Sequence, residues 1–109
     1  MAGVSQALTT CLVNASTPTN VSVIAAPAAG RRIVIQWLLI SNGAVAGELK
    51  LLDGSGGTVL FDVFLTVNTP LFVNLRRAPI VLTAATALCV TGVTSTTSRI
   101  NVGYTVESL

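Results

Sequence analysis

Chemistry near neutral pH needs a side chain whose proton can be moved, and this sequence holds few. The candidates are Glu48, Asp53, Asp62, Glu107, Lys50, Tyr104 and the thiols Cys11 and Cys89. Histidine is absent, which excludes Ser-His-Asp and Cys-His arrangements. Without histidine, two distant cysteines supply too few ligands for zinc. A carboxylate pair can hydrolyse glycosides, but Glu48 belongs to a strand edge and Asp53 to a glycine-rich turn. The expectation is a protein that is not an enzyme and carries no metal or cofactor.

The stretch "DGSGGT", residues 53–58, raises the question of a phosphate loop, since glycines expose backbone N–H groups. It lacks the Lys-Ser/Thr ending, and "TVLFDVFL" after it alternates like a strand rather than opening a helix. A hairpin turn is the better reading, with Asp53 and Gly54 making the bend. Cys11 and Cys89 read as buried thiols acting as small apolar residues, with a disulfide from the first strand to a late one as the alternative. "NAS" at Asn14 and "NVS" at Asn20 match the glycosylation sequon. The N-terminus has no basic segment before its apolar stretch, so no secretory signal is expected, and the two sequons read as turn chemistry.

Any such residues must be held by strands. The chain has 109 residues, enough for one domain. Valine, isoleucine and threonine abound, and turn signals recur every eight to twelve residues. Strands are predicted over 6–13, 20–25, 32–41, 47–52, 58–65, 71–75, 88–92 and 99–107. About eight short strands in one domain imply an all-β antiparallel β-sandwich of jelly-roll type. Residues 20–109 make up the sandwich, and residues 1–19 are a first strand or an arm that reaches a neighbour.

The composition poses a surface problem. Hydrophobic residues make up 51% of the chain and charged residues only 9%, against about 25% charged in an ordinary soluble domain. A domain this small cannot hide so much apolar surface inside itself, so part of it must lie against another molecule. A bilayer is excluded as a helix-spanned one: the apolar run 33–40 is far short of the ~20 residues needed and contains Gln36. A net charge of +2 is too small for a nucleic-acid footprint. Neighbouring protein subunits remain the favoured sink.

Alternation suggests which faces meet the neighbour. In the last strand Ile100, Val102, Tyr104 and Val106 share one face, and Arg99, Asn101, Thr105 and Glu107 the other. In the third, Ile33, Ile35, Trp37 and Leu39 form the expected core face, while Val34, Leu38 and Ile40 sit outward beside Arg32 and Gln36. In the fifth, Val59, Phe61, Val63 and Leu65 point one way and Leu60, Asp62 and Phe64 the other. A monomeric sandwich sheet wets one face, so Val34, Leu38, Leu60, Asp62 and Phe64 are candidate subunit contacts. Asp62 then either meets an arginine of a neighbour, because a buried carboxylate needs a partner, or faces solvent and blunts an exposed sheet. Trp37 and Tyr104 could build a sugar-stacking platform, but alternation assigns both to the core. Two arginine pairs, Arg31-Arg32 and Arg76-Arg77, each precede a β-branched run. The likeness of "GRRIVIQWL" to "LRRAPIVLT" is a shared way of opening a strand rather than a repeat. Arginine favours fixed contacts to carboxylates.

The segment "NVSVIAAPAAGRRIVIQWLLISNGAVAGELKLLDGSGGTVLFD" resembles the small capsid cement or decoration proteins of tailed bacteriophages. There, a small-residue and glycine turn and a basic residue lead into a long apolar strand and a "G-x-x-x-L-x-x-G" hairpin. The similarity covers roughly residues 20–107 and rests on architecture. It implies a jelly-roll-like homotrimer on the virion surface, bound to the major capsid protein, made in the host cytoplasm, and touching neither nucleic acid nor membrane. On that resemblance Arg31, Arg32, Arg76 and Arg77 would contact the shell. Two other classes are compatible with these residues: a carbohydrate-binding or fibre-tip module, and a lipid- or small-ligand-binding barrel that lines a cavity with the apolar excess.

Overall fold

The structure, a computed structural model, describes residues 4–15, 21–92 and 96–109, with side chains placed for 22–92 and 99–109. The described residues form nine strands: β1 (Val4–Ala15), β2 (Val21–Ile24), β3 (Arg31–Asn42), β4 (Gly47–Asp53), β5 (Thr58–Leu65), β6 (Pro70–Asn74), β7 (Ile80–Val81), β8 (Leu88–Gly92) and β9 (Thr96–Ser108). The all-β expectation holds. The ninth strand is the two-residue β7, inside a stretch that reads as linker because Arg76, Arg77, Ala78 and Pro79 interrupt it.

The ladders define the wrap. β4 pairs β5, β3 pairs β6, β2 pairs β8 and β1 pairs β9, all antiparallel. These are the nested rungs of one long hairpin folded about the β4–β5 turn. Two further ladders, β3 with β9 and β4 with β8, join the ribbon to itself as it curls. The result is two sheets, β1-β9-β3-β6 and β2-β8-β4-β5, which is jelly-roll topology. β1 lies in the first sheet, in register with β9 from Val4↔Glu107 to Ala15↔Thr96. The 19/20 boundary lies in residues 16–20, outside the described ones.

At the hinge of the ribbon, Asp53 and Thr58 flank a four-residue turn closed by Gly57 N–H donating to the Gly54 carbonyl, 3.1 Å. Gly54 and Gly56 take positive φ values of 85° and 69°, a region that glycine enters without Cβ strain. "DGSGG" is therefore a hairpin turn. Asp53 also accepts from the backbone N–H (3.1 Å) and the hydroxyl of Thr83, tying the turn to the loop before β8. Asn42, a buried polar side chain, donates to the carbonyls of Val45 and Thr66. That amide holds the loops at the far ends of β4 and β5 together.

Between the sheets lie Ile33, Ile35, Leu38 and Ile40 of β3, Leu49 and Leu51 of β4, Leu88 and Val90 of β8, and Ile100 and Val102 of β9. The parity changes within β3: odd residues face inward as far as Ile35 and even ones from Leu38. The cause is a register shift against β9, where Ile35 pairs Tyr104 and Trp37 pairs the adjacent Gly103. Gln36 is the extra residue of a β-bulge, and one inserted residue inverts every later side chain. This corrects the expected faces of β3. Leu38 and Ile40 are core residues with no exposure, whereas Trp37 and Leu39 point outward. The same shift splits the partner strand. β6 pairs Trp37–Ser41 of β3, Leu75 N–H donates to the Gln36 carbonyl, residues 75–79 loop away, and β7 resumes pairing at Ile35 and Val34.

A second bulge sits in β5, where Leu51 of β4 pairs Phe61 but Leu52 pairs Val59. Leu60 is the extra residue, and both Leu60 and Phe61 pack against the core. Val59, expected inside, is 46% exposed. The inner face of β9 is as expected, with Ile100 and Val102 in the core and Tyr104 packed on it, but Thr105, expected on the wet face, is buried opposite Val34.

The β3 bulge makes an unambiguous demand on stability. Leu38→Ala should lower the unfolding free energy by about 2–5 kcal/mol, as truncation of a buried leucine does, and Leu39→Ala by about 1 kcal/mol or less. Urea denaturation of the two variants measures it, and plain alternation demands the opposite ranking.

Candidate functional site

The acids and bases singled out for chemistry are occupied with structural work or scattered. Asp53 is committed to Thr83. Glu107 accepts both Nε (2.8 Å) and Nη2 (2.6 Å) of Arg32, its cross-strand neighbour on the outer face of the first sheet. Tyr104 is packed on the core. Cys89 is a buried free thiol in β8, and burial pushes it above the ordinary thiol value, the condition of an inert structural cysteine. The side chain of Cys11 lies outside the described ones. Among the described residues no group of three metal-binding side chains forms.

The remaining three charges meet on the outer face of the second sheet. Lys50 of β4 stands directly across from Asp62 of β5, and Glu48 across from Phe64. Lys50 Nζ is 3.8 Å from Glu48 Oε1. Hydrogen bonding to Asp62, then burial and the Asp62 charge, push the Glu48 carboxyl above its ordinary value, with Lys50 partly opposing them. Asp62 is exposed, so the buried, unpartnered carboxylate weighed from the sequence does not arise within the chain. Beside these charges Phe64 is 77% exposed on the edge strand.

The five residues expected at a subunit contact thus divide. Asp62 and Phe64 share the outer face of β5. Leu60 is turned onto the core by its bulge, and Leu38 is inside, both corrections to the expected faces. Val34 does face outward, between Thr105 of β9 and Val81 of β7, but is only 5% exposed and lies on the opposite sheet from Phe64. The arginine pairs are also apart. Arg31 and Arg32 open β3, with Arg32 bound to Glu107, while Arg76 and Arg77 are exposed in the loop 75–79 beside the β3 bulge.

Sequence reasoning missed the outer face of the first sheet. Successive rows read Arg99, Ser41, Pro70; then Asn101, Leu39, Phe72; then Gly103, Trp37, Asn74, across β9, β3 and β6. Phe72 is 61% exposed, and its ring lies 6.2 Å from that of Trp37 between centroids. The signal for Phe72 was present, because "PLFVN" alternates with Pro70, Phe72 and Asn74 on one side. The signal for Trp37 was masked by the bulge. Comparison of the chain with protein-family profiles, with curated proteins and with solved structures finds no match.

The Glu48–Asp62 contact generates a pH dependence. Glu48 binds its proton more tightly folded than unfolded, so its contribution to stability is complete below the ordinary value and is lost as pH rises through the raised one. Glu48→Gln removes that loss. Thermal unfolding should find the variant gaining on the parent protein as pH rises above the ordinary carboxyl value; a difference that stays constant with pH would contradict the raised Glu48.

Proposed function

We propose that this chain is a structural virion subunit, a capsid cement or decoration protein of a tailed bacteriophage that associates with copies of itself as a trimer and sits on the capsid surface. The observation that carries the reading is the pairing of jelly-roll topology with a phenylalanine left 77% exposed on an edge strand. Jelly rolls recur in viral capsid domains, and an open edge strand that carries an exposed ring offers a neighbour both unpaired backbone groups and an apolar contact. The 9% charged composition supports the same conclusion, because a surface with so few charges offers apolar area for a protein neighbour to cover.

In this reading the outer face of β4 and β5, with Phe64 near the end of the edge strand and Glu48, Lys50 and Asp62 beside it, joins subunits. Arg76 and Arg77, exposed on a loop and presenting planar guanidinium groups, suit carboxylates or carbonyls of the major capsid protein. Arg31 and Arg32, at the start of β3 and apart from that loop, are less available, since Arg32 is already bound to Glu107. A second reading, a carbohydrate-binding module, is favoured by one observation: Trp37 and Phe72 lie side by side on the outer face of the other sheet.

The test is the mass of the particle in solution. Multi-angle light scattering should give a trimer for the parent protein and a folded monomer for Phe64→Asp. A parent protein that is monomeric at micromolar concentration would sink the proposal. Arg76→Ser combined with Arg77→Ser should leave the trimer intact and weaken co-sedimentation with capsid shells.

A further inference from the structure

Trp37 is the sole tryptophan of the chain, and two local devices turn it outward. Without the Gln36 bulge an unbroken period of two, continued from Ile33 and Ile35, would carry the indole into the core. Bulges re-aim side chains in this way and recur beside functional sites. Opposite Trp37 on β9 stands Gly103, where an added Cβ would lie 2.0–2.5 Å from Nε1, Cε2 and Cδ1 of the indole. The five-membered ring therefore occupies the space that any other residue would fill. A glycine inside a strand weakens it, yet here it lets the indole lie down across the sheet.

Around the ring the chemistry is mixed. Phe72 extends the aromatic surface, its ring tilted 34° to the indole. Asn74 and Asn101 stand on either side, in the flanking strands. The Asn74 carbonyl oxygen accepts from Arg76 N–H at 3.1 Å, which leaves its amide N–H groups to donate outward. Asn101 donates to the Leu39 carbonyl at 3.3 Å, leaving its oxygen to accept. A strip of two rings bordered by one donor amide and one acceptor amide matches a pyranose. The sugar has an apolar C–H face to lie on a ring and peripheral hydroxyls that both donate and accept. A protein partner would instead bury about 800 Å² per side, and the aromatic strip here is a single pair of rings with Leu39 beside them and amides in the flanking strands.

We infer that the outer face of the β1-β9-β3-β6 sheet, centred on Trp37 and Phe72, is a glycan-binding site for a pyranose of a polysaccharide chain. It lies on the sheet opposite Phe64 and does not depend on the capsid reading. Trp37 and Phe72 stack on the sugar, Asn74 and Asn101 orient its hydroxyls, and Gly103 is a positioning residue that allows the indole to lie flat.

The lone tryptophan reports on its own site. Its fluorescence is titrated with hexasaccharides of β-1,4-glucose, β-1,4-N-acetylglucosamine and α-1,4-glucose, and with a purified bacterial surface polysaccharide. At least one should shift the emission saturably. Calorimetry with that ligand should find affinity reduced about tenfold or more in Phe72→Ala and in Gly103→Ala, with both variants folded by circular dichroism, and unchanged in Phe64→Asp. Should Gly103→Ala fail to fold, Phe72→Ala and Trp37→Phe carry the test. Absence of saturable change with every ligand, or affinity within twofold of the parent in Phe72→Ala, overturns the assignment. Dissociation of the oligomer by Phe72→Ala would also overturn it, because the face would then be a contact between copies of this chain.

Discussion

One inserted residue organises this molecule. Gln36 has no counterpart on β9, and the strand on either side of it presents opposite parities to the core. Ile33 and Ile35 fill the space between the sheets from one half of β3, and Leu38 and Ile40 from the other. The bulge also leaves room for residues 75–79 to leave the sheet between β6 and β7, which is how Arg76 and Arg77 come to be exposed. Trp37 rests on Gly103 because the bulge has turned it outward, and the space over Gly103 accepts it because no Cβ stands there. Core, arginine loop and aromatic face follow from that single register shift.

Two outer faces result, and their chemistry differs. That of β4 and β5 gathers Glu48, Lys50, Asp62 and Phe64, a cluster of charge around one exposed ring. That of β9, β3 and β6 carries two aromatic rings between asparagines. A chain with few charged residues has few charges to distribute, and its acids are spent on internal tasks: Glu107 on Arg32, Asp53 on the Thr83 loop, and Glu48 on Lys50 and Asp62.

Much of the fold was legible in the sequence. Turn residues delimit the strands closely, "DGSGG" forms the hairpin at the hinge of the ribbon, and the alternation of Ile100, Val102 and Tyr104 gives the inner face of β9. The candidate surfaces were legible only in part. Asp62 and Phe64 stand outward because they follow the bulge of β5, whereas Leu60 is itself the extra residue and packs inward. Leu38 and Trp37 exchanged faces because a period-two reading carries its phase through an insertion that leaves no mark of its own. In "IVIQWLLI" both parities are apolar, so neither phase is penalised, and the only hints are the lone polar Gln36 and a glycine in β9 opposite the tryptophan. Phe72 was readable from the alternation of β6, but its meaning depends on Trp37 being beside it.

The placement of Trp37 on Gly103 is the point on which this account turns, and proton magnetic resonance reads it directly. The single indole should give nuclear Overhauser contacts to the Gly103 α-protons, whose resonances should be displaced by the ring current, and to the ring of Phe72. Contacts from the indole to Leu88, Val90 or Leu51, with Gly103 at ordinary shifts, would put Trp37 in the core and contradict the bulge.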